Sequence, residues 1–396
     1  MESAEKERRT FIYTVGAMCM VGRGMFESST VLNPPEEVNL LMQGIFLFAM
    51  GYLIVTQYMT KVSLVFFSYL GLMCLYTYAN VHYYYIISTF LCIWAVRGVD
   101  LNFFLRWKLR VLTLYLSLHV VIYFILKYLM PEMISYAYRN GIQRDSFLIT
   151  HPNTFAMFTA WAVFEYIYLH YARLRIRDYF GILLITAFVK KFTDTNTFLL
   201  CIVVVLFLTI MDKRGNQFFR KLLYLFSRYG FLVLTVFFSV LTASYTRLTG
   251  AALQFYDLLN RLFTGRLLYG ACVYDFYGGT LLGQSVSFGE KTYWRGYWFD
   301  VISCDNTYVW AFVNFGLIYM LLIGAGFFMI SKKTTTAQQI LITSYTLYGI
   351  MEAYILNAMF CFPVLFIGLC LWDAAGEKES GIGRQKKRIS VEEGTY

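Results

Sequence analysis

The chain has 396 residues, of which 58% are hydrophobic, 19% aromatic and only 15% charged. A soluble globular chain holds roughly 45–50% apolar and 25% charged residues, so this composition excludes an ordinary soluble domain. The formal charge of +10, from 34 Lys and Arg against 24 Asp and Glu, would suit nucleic acid only if it lined one soluble face. Instead the basic residues fall in short clusters between apolar runs of roughly 17–22 residues, the length that a hydrocarbon core requires. The expected class is an all-α polytopic membrane protein in a single integral membrane domain, with lipid rather than nucleic acid around it.

Taken in chain order, the apolar runs predict about twelve spans, at 10–29, 38–57, 62–79, 81–96, 111–130, 150–171, 178–192, 196–212, 222–244, 307–330, 336–354 and 357–373. With the N-terminus in the cytoplasm, Lys6, Arg8 and Arg9 lie inside, followed by "RGVDLNFFLRWKLR", "ARLRIRD", "DKRGNQFFRK", "SKK" and the tail "GRQKKR". Every dense basic cluster then faces the cytoplasm, as the positive-inside rule requires. The polar tail over 374–396 has the composition of a disordered cytoplasmic segment whose basic run meets anionic lipid. The charged opening "MESAEKERR" does not read as a cleavable signal sequence.

Two external loops are long, near 131–149 and over 245–306, and only the second is large enough to hold folded structure. It carries Arg247, Arg261, Arg266, Lys291 and Arg295; the first carries Arg139 and Arg144, and Lys190 and Lys191 lie near a third external end. External arginines run against the positive-inside bias, and together they describe a face suited to an anionic partner. The planar guanidinium fork matches phosphate oxygens in pairs. Arg23 falls within or at the outer end of the first span, where a charge is expected to face a cavity, pair or snorkel.

Within the large loop, Leu258, Leu259, Leu262, Leu267 and Tyr269 recur at helical spacing, predicting a short amphipathic helix along the membrane surface. In an unbroken helix Arg261 and Arg266 would point about 140° apart. Gly265 predicts a break between them, with a second helix opening at Arg266 whose N-terminus favours phosphate. Asp305 and Asn306 immediately precede the tenth apolar run, where either serves as an N-cap; a carboxylate at that mouth also has the chemistry of a general base. His151, in "THPNTFAMF", opens the sixth span with Pro152 at its first turn. No phosphate loop, dinucleotide fingerprint or metal-ligand spacing is present, so neither cofactor nor metal is expected. Of the eight Cys, only Cys272 and Cys304 share a loop and are placed to consider as a disulfide.

"THPNTFAMF" (150–158), "DLLNRLFTGRLLYGACVYDF" followed by "LLG" (257–283) and "DNTYVWAFVNFGLIYMLL" (305–322), in that order and on one membrane side, resemble the Wzy-type polysaccharide polymerases of the O-antigen polymerase/ligase superfamily. Members carry a histidine-proline-asparagine opening a mid-chain helix and a glycine-arginine pair in a large external loop. An Asp/His-Asn pair starts the next helix, with a glycine some ten residues on, where Gly316 fits. The chain departs from the pattern at "FTDTNTFLL", where many relatives have a serine-arginine pair and where Lys190 or Lys191 is the available substitute; ligases have a histidine in place of Asp305. The resemblance implies a GT-C-like bundle in a bacterial inner (cytoplasmic) membrane with both termini cytoplasmic and the active site external. It implies a metal-independent, inverting glycosyl transfer from an undecaprenyl-pyrophosphate-linked oligosaccharide donor to a hydroxyl of a second lipid-linked unit. Asp305, His151 and Arg266 are the implied catalytic residues; Arg247, Arg261, Arg23, Arg139, Asn306 and Asn153 are the implied substrate contacts. Chain-length regulators or flippases are the protein partners it implies. A ligase using the same machinery, and a lipid-linked oligosaccharide flippase or other transporter, remain open alternatives.

Overall fold

The computed structural model describes residues 2–59, 61–139, 141–263, 265–286, 291–299, 305–350, 352–353 and 357–370. Cys304, and with it any pairing to Cys272, lies outside the described residues, as does the tail over 374–396. α1 (Glu2–Ser28) and α2 (Glu36–Val55) pair along their length, followed by α3 (Lys61–Val81), α4 (Tyr85–Ala95) and α5 (Leu101–Leu129). Asp100 caps α5, its carboxylate accepting from the N–H groups of Asn102 and Phe103. A hairpin of β1 (Ala137–Arg139) and β2 (Ile142–Arg144) then leads into α6 (Pro152–Leu169), α7 (Ile176–Thr193), α8 (Asn196–Lys213) and α9 (Gln217–Ser244). After α9 come α10 (Gly250–Leu262), α11 (Arg266–Tyr277), the hairpin β3 (Thr292–Trp294) and β4 (Tyr297–Phe299), α12 (Thr307–Trp310), α13 (Leu317–Ile330) and α14 (Thr336–Tyr348).

Among the described residues, five helices are long and apolar enough to cross a membrane: Glu36–Val55, Ser63–Val81, Leu101–Leu129, Asn196–Lys213 and the Gln217–Arg247 stretch. Their outward faces stay apolar, with Phe48, Val65, Leu72, Leu114 and Val233 all exposed. Closed helices with greasy outer surfaces are what a solvent unable to hydrogen-bond demands. The chain is a membrane-embedded, predominantly helical protein. α6 differs from these helices: it is apolar all round and buried on nearly every face, so it forms the centre against which α5, α7, α8 and α14 pack. Trp161 in α6 meets Tyr345, Tyr348 and Phe362 edge-on, which ties the C-terminal helices to that centre.

One charged pair penetrates this core. Lys108 of α5 and Glu165 of α6, both fully buried, form an ion pair, and the Lys108 ammonium also donates to the carbonyl of Phe360 at 2.9 Å. The structure thus places Glu165 in a clamp between two helices and the C-terminal segment.

The apolar run 307–330 reads as one span but forms two helical pieces. α12 runs into a π-helical stretch, Ala311–Phe315, and the chain then breaks at Gly316, whose φ of +94° suits glycine. The reason is tertiary. Residues 280–284 of the large loop insert against the break and pair with it through backbone groups. Thr280 N–H donates to Phe312 O at 3.2 Å, Leu317 N–H to Thr280 O at 2.8 Å, and Gln284 N–H to Asn314 O at 2.8 Å. The Thr77 hydroxyl of α3 donates to Leu282 O at 2.9 Å, holding the inserted segment from the other side. Part of the large loop is therefore woven into the bundle rather than laid on its surface. A Cβ added to Gly316 would come within 2.4 Å of Leu281 O. Gly316→Ala is expected to destabilise the fold by at least about 1–3 kcal/mol through strain at that φ, with a lowered thermal midpoint in detergent; an unchanged midpoint would mean that the inserted segment is not held there.

Candidate functional site

The two halves of the large loop meet at a sharp corner that sets Arg266. α10 ends at Leu262, and Gly265, at φ +86°, reverses the chain so that α11 opens at Arg266, as the glycine predicts. The corner is fastened by the Asn260 side chain, which accepts from Leu268 N–H at 3.0 Å, and by the Tyr256 hydroxyl, which donates to Leu267 O at 2.6 Å. Arg266 is thus a largely buried guanidinium in the first turn of a helix. One of its terminal nitrogens lies 3.8 Å from Asp305 Oδ2 and 3.8 Å from Glu352 Oε1. Both separations exceed a direct hydrogen bond, so the cation is balanced by two carboxylates without being locked to either.

Those two carboxylates are held relative to each other by a lattice of backbone bonds. Asn306 caps α12, its side-chain oxygen accepting from Tyr308 N–H at 3.0 Å and Val309 N–H at 3.1 Å, while its amide donates to Ile350 O at 3.0 Å. Thr307 N–H donates to Gly349 O at 2.8 Å, and the Thr307 hydroxyl donates to the Glu352 carbonyl. The turn after α14 is therefore sewn to the start of α12, which brings Asp305 and Glu352 to the same Arg266 nitrogen. Asn306, an implied substrate contact, is fully buried and spends its side chain on this structural work.

A second layer comes from the histidine-proline-asparagine stretch. His151 caps α6, its Nδ1 accepting from Asn153 N–H at 3.1 Å, and its ring stays exposed. The Asn153 side-chain oxygen accepts from an Arg144 terminal nitrogen at 2.6 Å. Arg144 is buried and also donates to Thr193 O at 2.6 Å and the Thr195 hydroxyl at 3.3 Å. Burial pulls its guanidinium below the ordinary arginine value, Arg139 adds to that effect, and Asp194 and Glu352 oppose it. Phe147 and Leu148, both at positive φ, carry the chain from β2 into α6, and Thr150 N–H and Thr30 N–H stitch that turn to the end of α1. Phe147 compensates its strained backbone by packing its ring among Tyr123, Phe155, Phe188 and Phe192.

Arg266, Asp305, Glu352, Arg144, Arg139 and His151 thus gather at one end of the bundle. Glu352 lies within electrostatic reach of Asp305, Arg266, Arg144 and Arg139, and His151 within reach of Arg144 and Asp305. The other implied contacts lie apart from this constellation. Arg23 donates to Glu27 at 2.7 Å and to Gln43 at 2.9 Å and lies over the Tyr84 ring. Arg247, on the turn after α9, and Arg261, in the last turn of α10, are exposed at the rim. Lys190 pairs with Asp194 one turn on, Lys191 sits over Phe192, and Arg144 joins them at the "FTDTN" turn through Thr193 and Thr195.

Two members escaped the sequence reading of the site. Arg144 was legible only as one external arginine among several, because its bonds to residues 193 and 195 cross between elements. Glu352 carried a signal: it is a lone carboxylate in the apolar run "YGIMEAYILNAMF", and an ionisable residue in such a run marks a functional position by default. No protein-family model, no curated protein and no solved structure matches the chain.

Proposed function

We propose that the chain is a glycosyltransferase that joins polyprenyl-pyrophosphate-linked oligosaccharide repeat units on the external face of a bacterial inner membrane, a polysaccharide polymerase of GT-C-like, roughly twelve-span architecture. The observation that carries this reading is Arg266, a largely buried guanidinium in the first turn of α11, balanced at 3.8 Å by two carboxylates and backed by Arg144 and Arg139. A helix N-terminus and a guanidinium together favour phosphate oxygens. The donor's pyrophosphate takes the place beside Arg266 and leaves with its negative charge stabilised there, which preorganised cations do without a metal. The acceptor hydroxyl attacks the anomeric carbon from the opposite side, inverting it, and its proton passes to a base beside the same cation. Asp305, 42% exposed, faces the mouth where the acceptor sugar arrives. Arg8, Arg106, Arg175, Lys213 and Lys332 mark the opposite end of the bundle, which supports placing the site outside.

The test uses the full chain in detergent with a synthetic polyprenyl-pyrophosphate repeat unit and EDTA, with products resolved by length. A ladder of lipid-linked oligomers supports polymerisation. Transfer only to a different acceptor identifies a ligase, and movement of the lipid across a liposome bilayer without new bonds identifies a transporter.

A further inference from the structure

We infer that Glu352, rather than Asp305 or His151, accepts the proton of the attacking hydroxyl; this rests on the glycosyl-transfer reading above. Glu352 is the more deeply buried carboxylate of the pair around Arg266, with its side chain 2% exposed against 42% for Asp305. Its Oε1 has no hydrogen-bond donor among the described residues and faces Arg266. Burying a carboxylate is costly unless it is paired and hydrogen-bonded, and a position that merely needed to neutralise Arg266 would gain from a direct contact. The main chain that carries Glu352 is tied down on both sides. Glu352 N–H donates to Tyr348 O at 3.1 Å, its carbonyl accepts from Thr307, and Asn306 grips Ile350 two residues earlier. The oxygen is buried beside the cation and has no hydrogen-bond donor among the described residues.

That arrangement couples base strength to donor binding. Burial and the nearby Asp305 charge oppose ionisation of Glu352, and the Arg266, Arg144 and Arg139 charges favour it. When pyrophosphate oxygens engage Arg266, the carboxylate loses part of its counter-charge and takes a proton more readily. The acceptor O–H bond then breaks with its proton passing to Glu352, the oxygen forms the new bond to the anomeric carbon, and the anomeric C–O bond breaks with its electron pair going to the departing pyrophosphate. Glu352 returns the proton to the pyrophosphate or to water at the mouth. Asp305 stands at the same 3.8 Å from Arg266, but its exposure to water screens that charge and weakens the dependence; Asp305 is left to orient the acceptor sugar.

The experiment compares wild type, Glu352→Gln, Glu352→Ala and Asp305→Asn in the elongation assay, with farnesyl pyrophosphate binding measured in parallel and thermal unfolding confirming the fold. Glu352→Gln keeps the shape of the side chain but removes its basicity. Its kcat is expected to fall by about 10²–10⁴-fold, the contribution of a general base, with farnesyl pyrophosphate affinity and donor KM held within a few-fold. Formate is expected to restore part of the turnover of Glu352→Ala, and Asp305→Asn to act mainly on acceptor KM. Turnover of Glu352→Gln near the wild-type rate, a loss confined to pyrophosphate binding, or the absence of formate rescue would each overturn the assignment while leaving glycosyl transfer standing. A wild-type chain that neither binds farnesyl pyrophosphate nor elongates would overturn the glycosyl-transfer reading itself, and this assignment with it.

Discussion

Arg266→Ala is expected to abolish long-chain product, with a loss of about 10²–10³-fold in turnover, the scale seen when a single preorganised donor to a developing oxyanion is removed. The lysine variant separates charge from geometry. Arg266→Lys keeps a positive charge between Asp305 and Glu352 but replaces a planar fork by a point charge, so it loses paired contacts to phosphate oxygens. Turnover is expected to stay at least about tenfold below wild type. The comparison matters because alanine also strands Glu352 in a buried position without its counter-charge, and thermal unfolding in detergent would register that as instability. Lysine, which preserves neutralisation, is expected to unfold close to wild type. A lysine variant with full activity would refute paired recognition by Arg266, and an alanine variant with full activity would remove Arg266 from the site.

Lys108→Met is expected to cost about 3–5 kcal/mol in stability, because it leaves the fully buried Glu165 carboxylate without its cation. The same change frees the Phe360 carbonyl, which the ammonium otherwise satisfies at 2.9 Å. Replacing both partners, as Lys108→Met with Glu165→Leu, is expected to recover most of the loss, since a well-packed apolar pair of similar volume often does as well as a buried ion pair. Thermal unfolding of the single and double variants forms the cycle that isolates the interaction. Additive losses would show that the pair is not coupled. The clamp joins α5 and α6 to the segment after the turn that carries Glu352, so the single variant is also expected to lower turnover through that turn.

Several local features of the site were legible because they depend on residues close in sequence. Gly265 marks the corner before α11, since only its positive φ lets α10 stop and a helix restart at the next residue. His151 followed by Pro152 marks the start of α6, since a side-chain acceptor and a residue without an N–H suit the first turn. Asn306 marks the start of α12 for the same reason. The apolar runs of α2, α3, α5, α8 and α9 likewise form long helices where they are expected, because a chain in lipid must close its own hydrogen bonds within each segment.

The features that escaped that reading arise between segments. The run 307–330 contains an unbroken apolar pattern, and only the insertion of residues 280–284 explains why it yields to a π-helical stretch and Gly316. Arg144 is bound by Asn153, Thr193 and Thr195, which lie 9, 49 and 51 residues away, and no local spacing announces such a grip. The sequence by itself determined a membrane-embedded helical chain, the helix starts at Arg266, Pro152 and Thr307, and the presence of arginines in the two long loops, because hydrophobic periodicity and capping act over a few residues. Only the tertiary structure decided which of those arginines meet carboxylates. Arg266 faces Asp305 and Glu352 because the turn after α14 is hydrogen-bonded to the start of α12, whereas Arg23 is drawn to Glu27 and Gln43, and Arg247 and Arg261 stay at the rim. Charge pairing falls off steeply with distance and depends on burial, so packing between distant elements selects the partners.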